Sequence, residues 1–131
     1  MLDTDIVSDL VRNPSGVVAD AIARAGESSV CCSAIVAAEL RFGAEKKGSG
    51  RLRDRVEGVL SALDVIAFDA PADRAYATLR ASLEGRGEVI GSNDMLIAAH
   101  ALAESATLVS GNEREFRRVD GLGVANWLDP R

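Results

Sequence analysis

The sequence predicts an α/β fold in a single domain over residues 1–131, with a central parallel sheet of about four to five strands flanked by helices. Short apolar runs alternate with helix-like segments along the chain. Such alternation is typical of a parallel sheet covered by helices on both faces. The length of 131 residues fits one compact domain, and no repeat, low-complexity tract or linker divides it.

Turn and capping residues set the boundaries of the elements. Asn13 and Pro14 begin a turn between the first two helices, and Ser33 is a suitable N-cap for the third. Gly48 breaks that helix, and Pro71 suits a helix start. The predicted strands are residues 1–2, 29–32, 65–68, 107–110 and 124–127. The predicted helices are residues 5–11, 17–24, 34–47, 52–63, 71–84, 93–104 and 113–118.

The composition is that of a globular protein with an aliphatic core. Hydrophobic residues make up 47% of the chain, charged residues 27% and aromatic residues only 4%. No apolar run approaches the roughly 20 residues that span a bilayer, and the start lacks a basic region before an apolar stretch. We therefore expect a cytoplasmic protein with no membrane partner. Cys31 and Cys32 are adjacent, and we expect free buried thiols.

The charge is unevenly distributed. The net charge is −5, which argues against gripping nucleic acid by overall charge. Residues 41–55, however, carry six basic side chains against two acidic ones, and Arg114, Arg117 and Arg118 form a second basic group. These groups are either solvated helix faces or a surface for nucleic acid or a partner.

Three acids stand in apolar surroundings where an unpaired carboxylate is costly to bury. Asp3 follows the first strand, Glu39 lies on the apolar face of its helix, and Asp94 begins the helix at 93–104. Alone, Asp94 would be read as an acid that complements the helix dipole. Ligands of parallel sheets bind at the carboxyl ends of strands, so we expect the three acids to converge there. Hard oxygen ligands suit Mg²⁺ or Mn²⁺, and the group predicts metal-assisted phosphodiester chemistry.

Further polar residues belong to the same predicted edge. Asn112 follows the strand at 107–110 and offers a neutral oxygen to a metal or its water, while Ser110 can hydrogen-bond a carboxylate. Glu115 faces either the cleft or solvent, and Asp5 is a ligand, a helix cap or a support for Asp3. His100, the only histidine, lies among alanines and is interpreted as a core residue rather than a catalytic base.

Four segments together resemble the PIN domain, and more narrowly the VapC toxins of type II toxin–antitoxin systems. The resemblance covers nearly the whole chain in motif order. The segments are residues 2–6 (LDTDI), 33–43 (SAIVAAELRFG), 92–102 (SNDMLIAAHAL) and 110–116 (SGNEREF).

The resemblance implies a Mg²⁺-dependent endoribonuclease, with Mn²⁺ a possible substitute, in which Asp3, Glu39 and Asp94 bind metal. Asn112 takes the fourth polar position of the motif, with Glu115 as the nearby acid. It also implies a structured RNA substrate, commonly tRNA, and arrest of translation. The implied partners are a second copy of the chain and a VapB-like antitoxin that reaches toward the acidic site.

Two departures from the family pattern leave the number of bound ions open. Position 5 is Asp where many relatives have Asn, which adds negative charge. The segment Ser110-Gly111-Asn112 replaces the commoner Thr-Asn-Asn or Thr-x-Asp, which removes a possible ligand.

Other functions compete with this one. A PIN-type nuclease that is not a toxin, or a PIN-like domain that only binds a partner, would share the fold. Asp3-Thr4-Asp5 imitates the nucleophile and acid of a haloacid-dehalogenase phosphatase, but leaves Glu39 unexplained. A response-regulator receiver needs a Lys after a late strand, and the chain has none beyond Lys47.

Overall fold

The computed structural model describes residues 1–128, so the last three residues of the predicted domain lie outside the described part. Seven α-helices, a short 3-10 helix at Glu27–Ser29 and four short strands are assigned within it. The strands are β1 (Cys31–Ser33), β2 (Asp64–Ile66), β3 (Leu108–Val109) and β4 (Val124–Ala125). The helices are α1 (Thr4–Arg12), α2 (Val17–Ala25), α3 (Ala34–Lys47), α4 (Gly50–Ala62), α5 (Ala72–Arg86), α6 (Ser92–Ala103) and α7 (Glu113–Phe116).

The assigned strand pairs are parallel, and Leu2 joins them into one sheet. Strand β1 pairs with β2, and β3 pairs with β4. Leu2 forms parallel bridges to Cys32 on one side and to Val109 on the other. The spatial order is therefore β2, β1, Leu2, β3, β4, which confirms the predicted parallel α/β architecture.

Four strands are shorter than predicted, and the strand predicted at 107–110 is reduced to Leu108–Val109. The strand predicted at 29–32 begins only at Cys31, because the Ser29 hydroxyl donates to the carbonyls of Ala25 and Gly26 and closes a 3-10 turn. The strand predicted at 124–127 ends at Ala125, since the Asn126 side chain accepts from the amide of Leu128 in an Asx turn. The strand predicted at 65–68 begins at Asp64 and ends at Ile66.

Helix ends follow the predicted chemistry. Ser33 caps α3 by accepting from the amide of Ile35 at 3.0 Å. Gly48 ends α3 in the left-handed region with φ of 66°, a conformation that glycine adopts without strain. The next residue, Ser49, caps α4 by accepting from Leu52.

The core is mainly aliphatic, and Leu2 is one of its fully buried members. Helix α1 contacts α2, α3 and α4, α5 packs along α6, and α3 contacts α6. Cys32 is buried and Cys31 half-buried, both as free thiols, and burial raises the pKa of Cys32 to about 11. Within residues 1–128, no helix combines the length and apolar character needed to cross a membrane.

Candidate active site

Asp3 lies at the carboxyl edge of the sheet beside Ser110. Residues that follow neighbouring parallel strands lie at the same edge of the sheet. Leu2 is bridged to Val109 of β3, so the next residues, Asp3 and Ser110, lie side by side. The Ser110 hydroxyl donates to Oδ2 of Asp3 at 2.7 Å, and the Thr4 amide donates to Oδ1 at 2.8 Å. Asp3 is only 5% exposed, and burial raises the pKa of its carboxyl group while the bond from Ser110 lowers it. The two hydrogen bonds hold the carboxylate in one orientation.

Glu39 reaches the same edge from α3. Its Oε1 accepts a 2.6 Å hydrogen bond from the hydroxyl of Thr4, and its Oε2 accepts a 3.4 Å bond from the side-chain amide of Asn93. The half-buried carboxylate is thus tied to the residues next to Asp3 and Asp94. The sequence interpretation missed the roles of Thr4 and Asn93. Their positions beside two predicted ligands were the available signal.

Unlike Asp3 and Glu39, Asp94 has a carboxylate that no hydrogen bond within residues 1–128 holds in place. It is half-buried in the first turn of α6, and it accepts no hydrogen bond from the described residues. Burial raises the pKa of Asp94 to about 6, helped by the negative charges of Asp3, Glu115 and Glu39. The helix-dipole interpretation alone does not account for this, because four other acids, Asp5 included, act on the same carboxyl group.

Asn112 and Glu115 complete the edge. The backbone N–H of Asn112 donates to the Ser110 hydroxyl at 2.9 Å. The side-chain amide of Asn112 donates to Oε2 of Glu115 at 2.9 Å. Glu115 is half-buried and acts electrostatically on Asp94, so it belongs to the cleft side of α7 rather than to open solvent. The structure therefore brings together all five predicted site residues.

Asp5 supports the loop after β3. Its Oδ2 accepts a 2.8 Å hydrogen bond from the amide of Gly111, while its buried Oδ1 has no partner among the described residues. A Cβ atom at Gly111 would lie 2.6 Å from Oδ2 of Asp5, so a side chain at this position would force the Asp5 carboxylate to shift. Gly111 is a third residue whose role the sequence interpretation missed.

His100 lies in the core, as predicted. It is 1% exposed, its Nδ1 is 2.8 Å from the Ser33 hydroxyl, and its ring meets that of Phe68 edge-on at 5.4 Å. Burial lowers the pKa of His100, which favours the neutral ring. Neither contact involves a carboxylate of the cleft.

The cleft has oxygen ligands that suit a hard cation, but they are not already arranged around a single ion. Its ligand atoms are carboxylate and amide oxygens, which suit Mg²⁺ or Mn²⁺ rather than softer metals. Within residues 1–128, however, no group of three or more His, Cys, Asp or Glu side chains is already arranged to hold an ion. The residues fit a cation that is bound by few direct carboxylates and keeps part of its water.

Comparison with known proteins identifies the class of this domain. The sequence matches the PIN domain over residues 1–122, and PIN domains are nucleases. Ribonuclease VapC2 of Rickettsia felis is 40% identical over 97% of this chain and 96% of its own length. The tRNA(fMet)-specific endonuclease VapC of Shigella flexneri is 34% identical over 97% of this chain and 96% of its own length.

Solved structures agree with the sequence relatives. The crystal structure of VapBC2 from Rickettsia felis, bound to a DNA fragment from its promoter, superposes with a TM-score of 0.91. It shares 36% identity, and the match covers 97% of each chain. The chain therefore belongs to the PIN-domain family, among its VapC ribonucleases. The predicted resemblance is confirmed, and the phosphatase and receiver alternatives lose their support.

Proposed function

We propose that this protein is the toxin of a type II toxin–antitoxin system, a Mg²⁺-dependent endoribonuclease that cleaves structured RNA and thereby inhibits translation. One observation carries the proposal. The half-buried carboxylate of Asp94 accepts no hydrogen bond from the described residues, and the negative charges of Asp3, Glu39, Glu115 and Asp5 all help to raise its pKa. Such mutual repulsion is relieved by a divalent cation, and the cation is the agent of phosphodiester hydrolysis.

Asp3, Glu39 and Asp94 would hold the cation, in part through water. Mg²⁺ is commonly bound by one or two carboxylates plus water and substrate phosphate, so a prearranged set of three is not required. When bound, the metal lowers the pKa of a water and stabilises the charge that develops on the phosphate. Mn²⁺ would substitute because it takes the same oxygen donors.

The other residues of the cleft orient these acids. Ser110 holds Asp3, and Thr4 holds Glu39, each through a hydroxyl that donates to the carboxylate. Asn112 bonds both Ser110 and Glu115, and this keeps the Glu115 carboxylate close to Asp94. Orientation of this kind lowers the barrier by placing the reacting groups before substrate arrives.

tRNA is the proposed substrate class. The relative from Shigella flexneri is named a tRNA(fMet)-specific endonuclease, and it matches over nearly the full length of both chains. An RNA loop offers unstacked nucleotides that can enter a cleft, whereas paired bases cannot. Initiator tRNA is therefore the first RNA to test, and its cleavage would stop translation at initiation.

A cleavage assay tests the enzyme. The purified protein is incubated with an initiator tRNA transcript in Mg²⁺, and the 5′ ends of the products are sequenced. Asp94→Asn should lower the rate by about 100-fold or more, because it removes a metal ligand. Asp73→Asn is the matched control, since Asp73 is an exposed acid in the first turn of α5. Full activity of Asp94→Asn, or undiminished activity in EDTA, would contradict the proposal.

The proposed antitoxin has a suitable groove between α1, α2 and α4. This groove, which we call the α2–α4 groove, has a volume of about 510 Å³ and is lined mainly by apolar side chains, among them Leu10, Ile22, Val59 and Leu63. Along α4 and just after it, Val56 and Leu60 are core residues, while Val59 and Leu63 line the groove. A VapB-like segment would lay an apolar helix face here and extend a basic side chain into the acidic cleft.

Copurification tests the antitoxin. The product of the adjacent upstream gene should copurify with this protein and inhibit its RNase, and the complex should contain a homodimer of the toxin. Gly58→Leu would fill the α2–α4 groove, where a Cβ at Gly58 meets no atom within 4 Å, and should weaken the complex. Gly85→Leu, on α5 with equal space, is the control. If no inhibitor copurifies and inhibition fails, a PIN nuclease that is not a toxin becomes the better choice.

A further inference from the structure

A second groove leads away from the acidic cleft between α1 and α3, with α4 as part of its wall. We call it the α1–α3 groove, and its volume is about 220 Å³. Thr4, Ser8 and Arg12 line it from α1, at intervals of four residues. Glu39, Gly43 and Lys47 line it from α3 at the same interval. Each helix therefore presents one face along two turns, or roughly 12 Å.

The two ends of the α1–α3 groove carry opposite charge. At one end the Thr4 hydroxyl donates to Glu39, so the groove begins at a carboxylate of the cleft. The other end carries Arg12 and Lys47. Both cations are exposed, and neither forms an ion pair with the described residues, whereas nearby Arg41 is paired with Glu57.

A simpler role for these cations is to complement helix dipoles. Arg12 lies in the last turn of α1 and Lys47 in the last turn of α3, where positive charge is favourable. Arg24 and Lys46 occupy equivalent positions, but they do not line the groove. The dipole effect explains why each helix ends in a cation. It does not explain why two unpaired cations from different helices meet at one groove.

The floor of the groove is apolar and its middle is open. Val11, Leu40 and Val56 are buried beneath it. Gly43 leaves space at the centre, because a Cβ there would meet no atom within 4 Å. At about 220 Å³ the groove is smaller than the roughly 300–1,000 Å³ of drug-sized ligand sites, so it suits a fragment such as one nucleobase.

We propose that the α1–α3 groove binds the RNA nucleotide next to the scissile phosphate. The base lies on the apolar floor, the hydroxyls of Thr4 and Ser8 face its polar edge or ribose, and the outer phosphate lies between Arg12 and Lys47. This inference rests on the proposed ribonuclease function, and it names how that site takes its substrate. A basic antitoxin side chain would be repelled by the two cations, whereas a phosphate is attracted to them.

The charge of the outer end is tested by salt dependence. Single-turnover cleavage of the initiator tRNA transcript in Mg²⁺ gives the protein concentration for half-maximal rate, measured from low to high KCl. Arg12→Gln and Lys47→Gln should each raise that concentration and reduce its slope against log salt by about 0.7, as expected for one lost phosphate contact on a single strand. The matched controls Arg24→Gln and Lys46→Gln should keep the wild-type slope.

The space in the groove is tested by filling it. Gly43→Leu should favour the helix, so the variant is expected to fold, while the new side chain occupies the proposed base site. The half-maximal concentration should rise at least tenfold, whereas Gly85→Leu on α5 should leave it unchanged. Melting temperatures of both variants verify that each is folded.

The possible outcomes separate this proposal from the proposed function. If the wild-type protein cleaves no RNA in Mg²⁺, both proposals fall. If it cleaves RNA and the groove variants match their controls, the nucleotide site is wrong and the ribonuclease stands. If the groove variants cleave normally but escape inhibition by the antitoxin, the groove belongs to the antitoxin and the nucleotide site is again overturned.

Discussion

The hydroxyl of Ser110 donates a 2.7 Å hydrogen bond to the carboxylate of Asp3, which lies 107 residues earlier in the chain. Both residues are buried, at 0% and 5% exposure. The bond stabilises the charged form of Asp3 and opposes the effect of burial on its pKa. It thus couples the loop after β3 to the ionisation of a proposed metal ligand.

Removing this hydroxyl should impair both stability and cleavage. Ser110→Ala leaves the buried Asp3 carboxylate with one fewer donor and should lower the free energy of unfolding at neutral pH by about 1.5–3 kcal/mol. It should also raise the pKa of Asp3, so the acid limb of the pH–rate profile moves to higher pH. Ser61→Ala is the control, because Ser61 is exposed and bonds only the Gly58 carbonyl. An unchanged pH–rate profile for Ser110→Ala would show that the bond does not tune Asp3.

The acidic cleft should make the metal-free protein less stable as pH rises. The pKa of Asp94 is about 6 when folded, against 3.8 for an unperturbed Asp, so the folded state holds the proton more tightly. Its stabilising contribution is complete below pH 4 and is lost as pH rises through 6. Chemical denaturation in EDTA from pH 4 to 8 should record a loss on the order of 1–3 kcal/mol. Asp94→Asn should flatten this dependence.

Mg²⁺ should restore that stability at pH 7, because it binds only the folded cleft and neutralises its charge. The melting temperature is measured with increasing Mg²⁺. The shift should vanish in a triple variant carrying Asp3→Asn, Glu39→Gln and Asp94→Asn. An equal shift in the triple variant would mean that the ion binds elsewhere.

Gly111 should not tolerate a side chain. The Cβ atom of Gly111→Ala would lie 2.6 Å from Oδ2 of Asp5 and 3.1 Å from Cδ1 of Leu128. Relief requires a shift of the Asp5 carboxylate away from the Gly111 amide or of the loop that carries Ser110 and Asn112, and we expect a loss of about 1–3 kcal/mol with reduced cleavage. Gly85→Ala, which meets no atom within 4 Å, should instead stabilise α5 by about 0.5–1 kcal/mol.

A double-mutant cycle identifies the cause at Gly111. In an Asp5→Ala background the clash with the carboxylate is absent, so Gly111→Ala should be less harmful there. Equal losses in both backgrounds would assign the effect to Leu128 or to the backbone instead of Asp5. Unfolding free energies of the four proteins provide the comparison.

Much of the fold could be predicted because its signals are local. Ser33 caps α3 as its side-chain chemistry indicates, and Gly48 ends that helix in the left-handed region. Leu2 connects two strand pairs through single bridges, as a very short first strand implies. The strand ends at Cys31 and Ala125 were missed because side-chain hydrogen bonds of Ser29 and Asn126 replace the ladder, and apolar pattern does not reveal these bonds.

The sequence by itself determined which chemistry is available: Asp3, Glu39 and Asp94 in apolar settings, and one histidine among alanines. The tertiary structure alone decided how these groups meet. In the folded chain the charge of Glu115 helps to raise the pKa of Asp94. Thr4 donates a hydrogen bond to Glu39, and the Gly111 amide donates one to Asp5. These relationships join residues far apart in the chain, and their electrostatics depend on burial and separation, which no local pattern encodes.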